Sequence, residues 1–205
     1  MSKKKEAILR AATVLFANNG YRQTSIAELS RLTGVAEGTI FYHFKNKEEI
    51  FLSVLKSVKK RLDHAIHKAG GLENAGTGLE KALAVVTVYL GLCGEMQDEF
   101  LMLQRHYPYQ ISRRNPECRT LLEAITAGFL DLFETALHAG QADGSIDVES
   151  TRKTAMILYA MTDGIARLQT YHIYDSGALH CELMRVCRRM LAVDAPAGPS
   201  HAPVV

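Results

Sequence analysis

Apolar residues recur along this chain with the period of a helix, and no stretch alternates as a half-buried strand does. Ile8, Leu9, Ala12, Leu15 and Phe16 fall at i, i+1, i+4, i+7 and i+8, a single stripe on a first helix expected over Lys4–Asn18. Gly20 ends it. Ser25 with Glu28 reads as an S-x-x-E capping box opening a second, short helix that stops at Thr33-Gly34, where glycine supplies the positive φ of a tight turn. A third short helix is expected over 37–43. Asn46, with Glu49 three residues on, caps a fourth that runs to about Lys68 without Pro or Gly, over ~30 Å of rigid strut.

AGGLENAGTG (69–78) holds four glycines and is the clearest internal break. Beyond it helices are expected at 79–94, 96–106, 116–140, 148–172 and 177–193, separated by Pro108 and Pro116, QADGSID and YDSG. The tail 194–205, with three of the five prolines, is expected to be disordered. The fold class is all-α. The longest nearly apolar run, Ala82–Gly94, has 13 residues where a membrane span needs about 20, so it reads as a core helix. The first 16 residues carry charge where a signal peptide needs its apolar stretch, and a cytoplasmic protein is expected. Cys93, Cys118, Cys181 and Cys187 form no CxxC pair. They read as reduced core thiols, the last two at a buried dimer interface.

Charge divides as the helices do. Residues 1–68 carry 13 Lys/Arg and 6 Asp/Glu, a net of +7, whereas residues 69–205 carry a net of −5. A basic third joined to an acidic remainder predicts that the N-terminal part meets a polyanion and the rest does not. Within the basic third, residues 25–44 read as helix, glycine turn, helix, the arrangement in which the second helix enters the major groove of duplex DNA. Val35, Ile40, Phe41 and Phe44 are spaced to face supporting helices. Thr39, Tyr42 and His43 fall on the other side, with Lys47 at the start of the next helix. Donors so spaced reach phosphates beside the groove, aided by open helix N-termini near Ile26 and Lys47.

At these residues the chain resembles the TetR family of transcriptional repressors. The string TSIAELSRLTGVAEGTIFYHFKNKEEIF (24–51) is similar to the family's helix-turn-helix signature almost end to end, and the detailed likeness covers about residues 5–52. Further on, AMILYAMTDGIARL is similar to the family's penultimate helix. The resemblance implies a nine-helix fold, with a DNA-binding domain at 1–50 and a ligand-binding and dimerisation bundle at 51–193. It implies a homodimer joined through helices 150–172 and 177–193, and an operator in double-stranded DNA. Ser25, Tyr42, His43 and Lys47 would touch phosphates, and Ala36, Glu37, Thr39 and Phe41 would lie along base edges. Ala27 stands where the family often has a longer polar residue and Ala36 where serine is usual, which leaves the reading face poor in long donors. Glu37 either accepts from a cytosine N4 or is a first-turn acid favoured by the helix dipole.

The resemblance also implies a pocket for a small-molecule effector in the bundle. Its candidate lining is Tyr89, Cys93, Phe100, Arg105, Tyr109, Phe129, Phe133, Tyr159, Asp163 and Arg167, although aromatics at helical spacing are as a rule core. Asp163 and Arg167, at i and i+4, are also placed to pair with each other. Arg105, His106, Tyr107, Tyr109, Arg113 and Arg114 crowd around Pro108, either as the mouth of a pocket for an anionic effector or as a helix-ending surface loop. Lys3, Lys4 and Lys5 either follow a phosphate or fray into solvent. His64 and His67 read as a solvated face rather than a metal pair. A rival reading, a small helical enzyme built on residues 105–114, has no nucleophile elbow, phosphate-cradling loop or metal set behind it. No cofactor, metal or catalytic residue is expected. A third reading keeps DNA binding and replaces the effector with thiol oxidation.

Overall fold

A computed structural model describes residues 2–69, 76–174 and 176–193 of the chain. The glycine-rich residues 70–75 and the tail at 194–205 lie outside them. Among the described residues are ten helices: α1 (Lys3–Asn18), α2 (Ile26–Thr33), α3 (Glu37–His43), α4 (Lys47–Ala69), α5 (Gly78–Glu95), α6 (Gln97–Gln104), α7 (His106–Ser112), α8 (Pro116–Asp143), α9 (Thr151–Thr170) and α10 (Ser176–Leu191). Their extended pairing is limited to one isolated bridge, Ile146 with Ala192. The all-α expectation holds.

Ten helices replace the nine expected because the segment 96–106 is cut at Arg105, whose extended backbone (φ −67°, ψ 154°) ends α6 and starts α7. Pro108 then sits in the first turn of α7, where its missing N–H has no intrahelical acceptor to lose. The proline therefore helps to open a helix instead of separating two. The penultimate helix is shorter than expected, because Ser150 caps it by accepting from the Lys153 N–H.

The signals at the helix ends act with small changes. Ser25 accepts from the Glu28 N–H at 3.1 Å, but the Glu28 carboxylate turns to the Asn19 amide instead of completing the box. Asn46 accepts from the Glu49 N–H, and Glu49 reaches back to the N–H of Lys45. The full reciprocal box belongs to Thr77 and Glu80, at the start of α5. Gly34 and Gly144 end α2 and α8 at φ 68° and 76°, in the left-handed region that glycine enters without a Cβ penalty.

The first three helices close over a small core of Ile8, Ala12, Phe16, Leu29, Ile40 and Phe44, completed by Ile50 and Phe51 of α4. Helix α4 continues past this core and packs along α8 with Val54, Val58 and Leu62 on its inner side. In the bundle α5 lies against α8 and α9, and α10 covers α9 and α5. A Cβ on Gly78 would run into the backbone of Gly140, so two glycines set how closely α5 crosses α8.

Candidate functional site

Helix α3 is anchored by Ile40 and by Phe44 just beyond its end, and most of the rest of its surface is open. Ile40 and Phe44 are buried, while Ala36, Glu37, Phe41 and Tyr42 are exposed, Tyr42 at 84%. Thr39 and His43 are half-buried on either side of them. Phe41 was expected both to support the helix and to lie along base edges; it is 51% exposed, which rules out the supporting role. At i, i+4 from Glu37 it shares the outward face. Lys3, Lys4 and Lys5 are helical rather than frayed. Ser2 caps α1 by accepting from the Lys5 N–H, and the Lys5 ammonium lies 5.2 Å from the Phe44 ring centre.

Lys47, expected to touch a phosphate, is turned toward the protein. Its ammonium donates to the carbonyls of Tyr21 (2.8 Å), Thr24 (2.8 Å) and Arg22 (3.3 Å) and lies 4.5 Å over the Tyr21 ring. Partial burial holds its pKa below the ordinary lysine value. The side chain ties the α1–α2 loop to the start of α4, which fixes α2 and α3 relative to the strut.

The crowded segment around Pro108 divides its residues between two neighbours. Arg105 leaves the bundle interior and donates to the carbonyls of Ala17 (2.6 and 2.9 Å) and Asn18 (2.9 Å) at the C-terminal end of α1, where the helix dipole favours a cation. Tyr107 stacks on Tyr21, and the Phe51 ring stands edge-on to both. Arg114 and Asn115 bind the two oxygens of Glu48, in the first turn of α4, at 2.7 and 2.9 Å. Two further ion pairs, Lys56–Glu117 and Arg61–Glu99, hold α4 to α8 and α6.

Tyr109, Ser112 and Arg113 of that segment face a chamber of about 680 Å³ lined by α5 to α9, within the usual range of small-molecule sites. Its floor is aromatic. Tyr89 lies 4.6 Å from Phe129, 5.5 Å from Phe100 and 5.8 Å from Tyr159, ring centre to ring centre. The Tyr89 hydroxyl donates to Asp163 Oδ1 at 2.8 Å. Burial pushes the Tyr89 and Tyr159 hydroxyls up, Tyr159 to about 12, and the Asp163 charge adds to the effect, so both remain donors at neutral pH. Arg113, Arg119, Arg152 and Arg167 stand on the exposed side of the lining. Arg119 pairs with Glu123 and Arg152 with Glu134 and Asp131, whereas Arg113 has no carboxylate partner among the described residues.

Of the ten residues expected at the pocket, Tyr89, Phe100, Tyr109, Phe129, Tyr159, Asp163 and Arg167 line this chamber. Cys93, one turn beyond Tyr89, instead borders a separate hollow with Asn18, Asp98 and Thr170. Phe133, one turn beyond Phe129, is wholly buried in the core, and Arg105 is committed to α1. Asp163 and Arg167 do not pair: Asp163 takes the Tyr89 hydroxyl, and Arg167 donates at 3.4 Å to the Gln104 carbonyl. Gln104 was missed. Its signal in the sequence is a polar residue at i+4 from Phe100, on an otherwise apolar stripe. Among the thiols, Cys93, Cys118 and Cys187 are buried within the chain, and Cys181 is exposed on α10, one of the two helices expected at the dimer interface.

Residues 8–54, the segment holding the anchored reading helix and Lys47, match the model of bacterial regulatory proteins of the tetR family. The match covers the helix-turn-helix unit and the start of α4. The protein is a DNA-binding transcriptional regulator. The fatty acid metabolism regulator protein of Bacillus subtilis is 27% identical to this chain over 139 residues, 68% of this chain and 69% of the relative. The transcriptional repressor BepR of Brucella suis is 26% identical over 163 residues, 78% and 77% of the two chains. The fold also superposes on the crystal structure of FadR from Bacillus subtilis in complex with stearoyl-CoA, with a TM-score of 0.72 and 23% identity over 90% of this chain and 98% of that one. No helix among the described residues is long and apolar enough to cross a membrane.

Proposed function

We propose that the protein is a homodimeric repressor that a small amphipathic anion releases from a pseudo-palindromic operator. The observation that carries this reading is the junction of α7 and α8. Ser112 and Arg113 line the chamber, while the next two residues, Arg114 and Asn115, hold Glu48 at the foot of the DNA-reading unit. A ligand that moves this junction moves α4. A shift between two spacings of the reading helices then needs only a difference in ligand affinity between the two states.

The operator-reading unit comprises residues 1–50, with Ala36, Glu37, Thr39 and Phe41 toward base edges, Ser25, Tyr42 and His43 toward phosphates, and Lys47 tying the α1–α2 loop to α4. The bundle at 51–193 senses and dimerises. Met156 and Ile157 on α9, with Val186 and Met190 on α10, leave large apolar side chains exposed on the two helices assigned to the dimer. A second copy covering them would remove that surface from water. Such a protein works on chromosomal DNA in the cytoplasm. The exposed arginines suit an anionic group, the aromatic floor suits an alkyl or acyl chain, and the likeness to a regulator crystallised with stearoyl-CoA supports an acyl thioester as the effector.

Fluorescence anisotropy with the chain's own promoter region tests the reading. Affinity should fall steeply with salt, as phosphate contacts release counterions, and palmitoyl-CoA should lower it further. Binding to duplex DNA that ignores salt, or complexes that ignore every acyl-CoA, would overturn it.

A further inference from the structure

Gln104 lines the chamber and is 7% exposed, yet neither its Nε2 nor its Oε1 has a hydrogen-bond partner. Its own backbone carbonyl takes the long bond from Arg167, which leaves only the side-chain amide uncommitted. Burying an unpartnered amide is costly, and leucine would fill the same volume on a stripe that already holds Phe100 and Leu103. The Asp163 carboxylate on the floor is engaged, because it takes the Tyr89 hydroxyl. Gln104 is therefore a buried, uncommitted neutral donor in the chamber wall.

The surrounding charge restricts what it can meet. Asp163 places a carboxylate on the floor, which repels an anionic head, while Arg113, Arg119 and Arg167 lie at the exposed side. A molecule matched to this order has its anion outside, an alkyl chain among the aromatics and an uncharged acceptor between them. Resting on the effector class argued above, we propose that Gln104 is the specificity-determining residue of the chamber. Its amide N–H donates to the carbonyl of an acyl thioester whose anionic carrier lies on the arginines.

Two probes that differ only at that carbonyl test the assignment: palmitoyl-CoA, and hexadecyl-CoA, the thioether with a methylene in its place. Titration calorimetry on the full chain should show the wild type favouring palmitoyl-CoA by about tenfold, the worth of one good hydrogen bond. Gln104→Leu should lose that preference by weakening palmitoyl-CoA alone, and Gln104→Met provides the same comparison if the leucine variant does not fold. Arg113→Ala should weaken both probes equally. Equal wild-type affinity for the two, equal losses in Gln104→Leu, or binding of neither probe would overturn the assignment. The readout needs no DNA. Palmitoyl-CoA bound with this preference but without effect on the operator complex would leave Gln104 assigned and count against effector-driven release.

Discussion

The ring of Tyr107 lies flat on that of Tyr21, their centres 3.7 Å apart and their planes 13° from parallel. One ring belongs to α7 and the other to the loop between α1 and α2, so the stack joins the sensing bundle to the DNA-reading unit. Around it stand Arg105 on the end of α1, Arg114 on Glu48 and Lys47 among the loop carbonyls. No single contact here is large. Together they make the position of α7 and the position of the reading helices one variable.

Tyr107→Ala should separate the two halves. The change removes the stack and leaves a gap beside Phe51, costing about 2 kcal/mol of stability by denaturant unfolding. Palmitoyl-CoA affinity should change little, because Tyr107 does not line the chamber. The ratio of operator affinities without and with palmitoyl-CoA should shrink several-fold, read by anisotropy on one DNA duplex. A variant whose ratio matches the wild type would show that the stack carries no coupling.

Lys47→Ala should act in two ways. Losing a cation of the DNA-reading unit should lower the slope of log affinity against log salt by about one and weaken all DNA sequences alike. Losing the donor that gathers three loop carbonyls should also lower the melting temperature without DNA. Lys47→Arg should recover most of the slope but not the stability, since a planar guanidinium does not fit a site built for a point charge.

The DNA-reading unit was legible because its signals are local: a capping serine, a glycine with positive φ and apolar spacing over a few residues. The chamber was legible only in part. Tyr89 and Cys93 are one turn apart on α5, as are Phe129 and Phe133 on α8, yet only the first of each pair reaches the lining. Periodicity selects an inward stripe but not the height at which neighbouring helices part. The break at Arg105 escaped detection because its cause is distant: the residue is pulled out of helical geometry toward α1, 88 positions earlier in sequence. Pro108 looked like the interruption because it is the local breaker.

The thiols predict a pH effect. Burial pushes Cys118 and Cys187 up to about 11, and Cys93 higher still. A thiol starting near 9 in the unfolded chain loses its proton there first, so between about pH 9 and 11 the folded state binds more protons than the unfolded one. Stability should fall as pH rises across that window. Below pH 9 the contribution is fully present. The same protonation makes these three thiols poor nucleophiles, so Ellman's reagent at pH 7.5 should titrate no more than one thiol per chain, at Cys181, and all four in guanidinium. Rapid reaction of two or more in the native protein would revive thiol oxidation as the signal.

Tyr89 and Asp163 give the last prediction, because the two partners can be changed with different consequences. Tyr89→Phe removes the hydroxyl and leaves the Asp163 carboxylate without its donor beside aromatic walls, at a cost of about 1–3 kcal/mol. Asp163→Asn retains an acceptor, since the asparagine carbonyl can take the same O–H, and should cost less than about 1 kcal/mol. Removing the charge also lifts the repulsion that keeps anionic heads from the floor. Free palmitate should therefore bind Asp163→Asn several-fold more tightly than wild type, while palmitoyl-CoA, with its anion outside, should be nearly unaffected. Urea unfolding gives the two costs and calorimetry the two affinities. Equal losses for both variants, or palmitate binding unchanged in Asp163→Asn, would mean that the carboxylate is a structural acceptor for Tyr89 and sets no ligand preference.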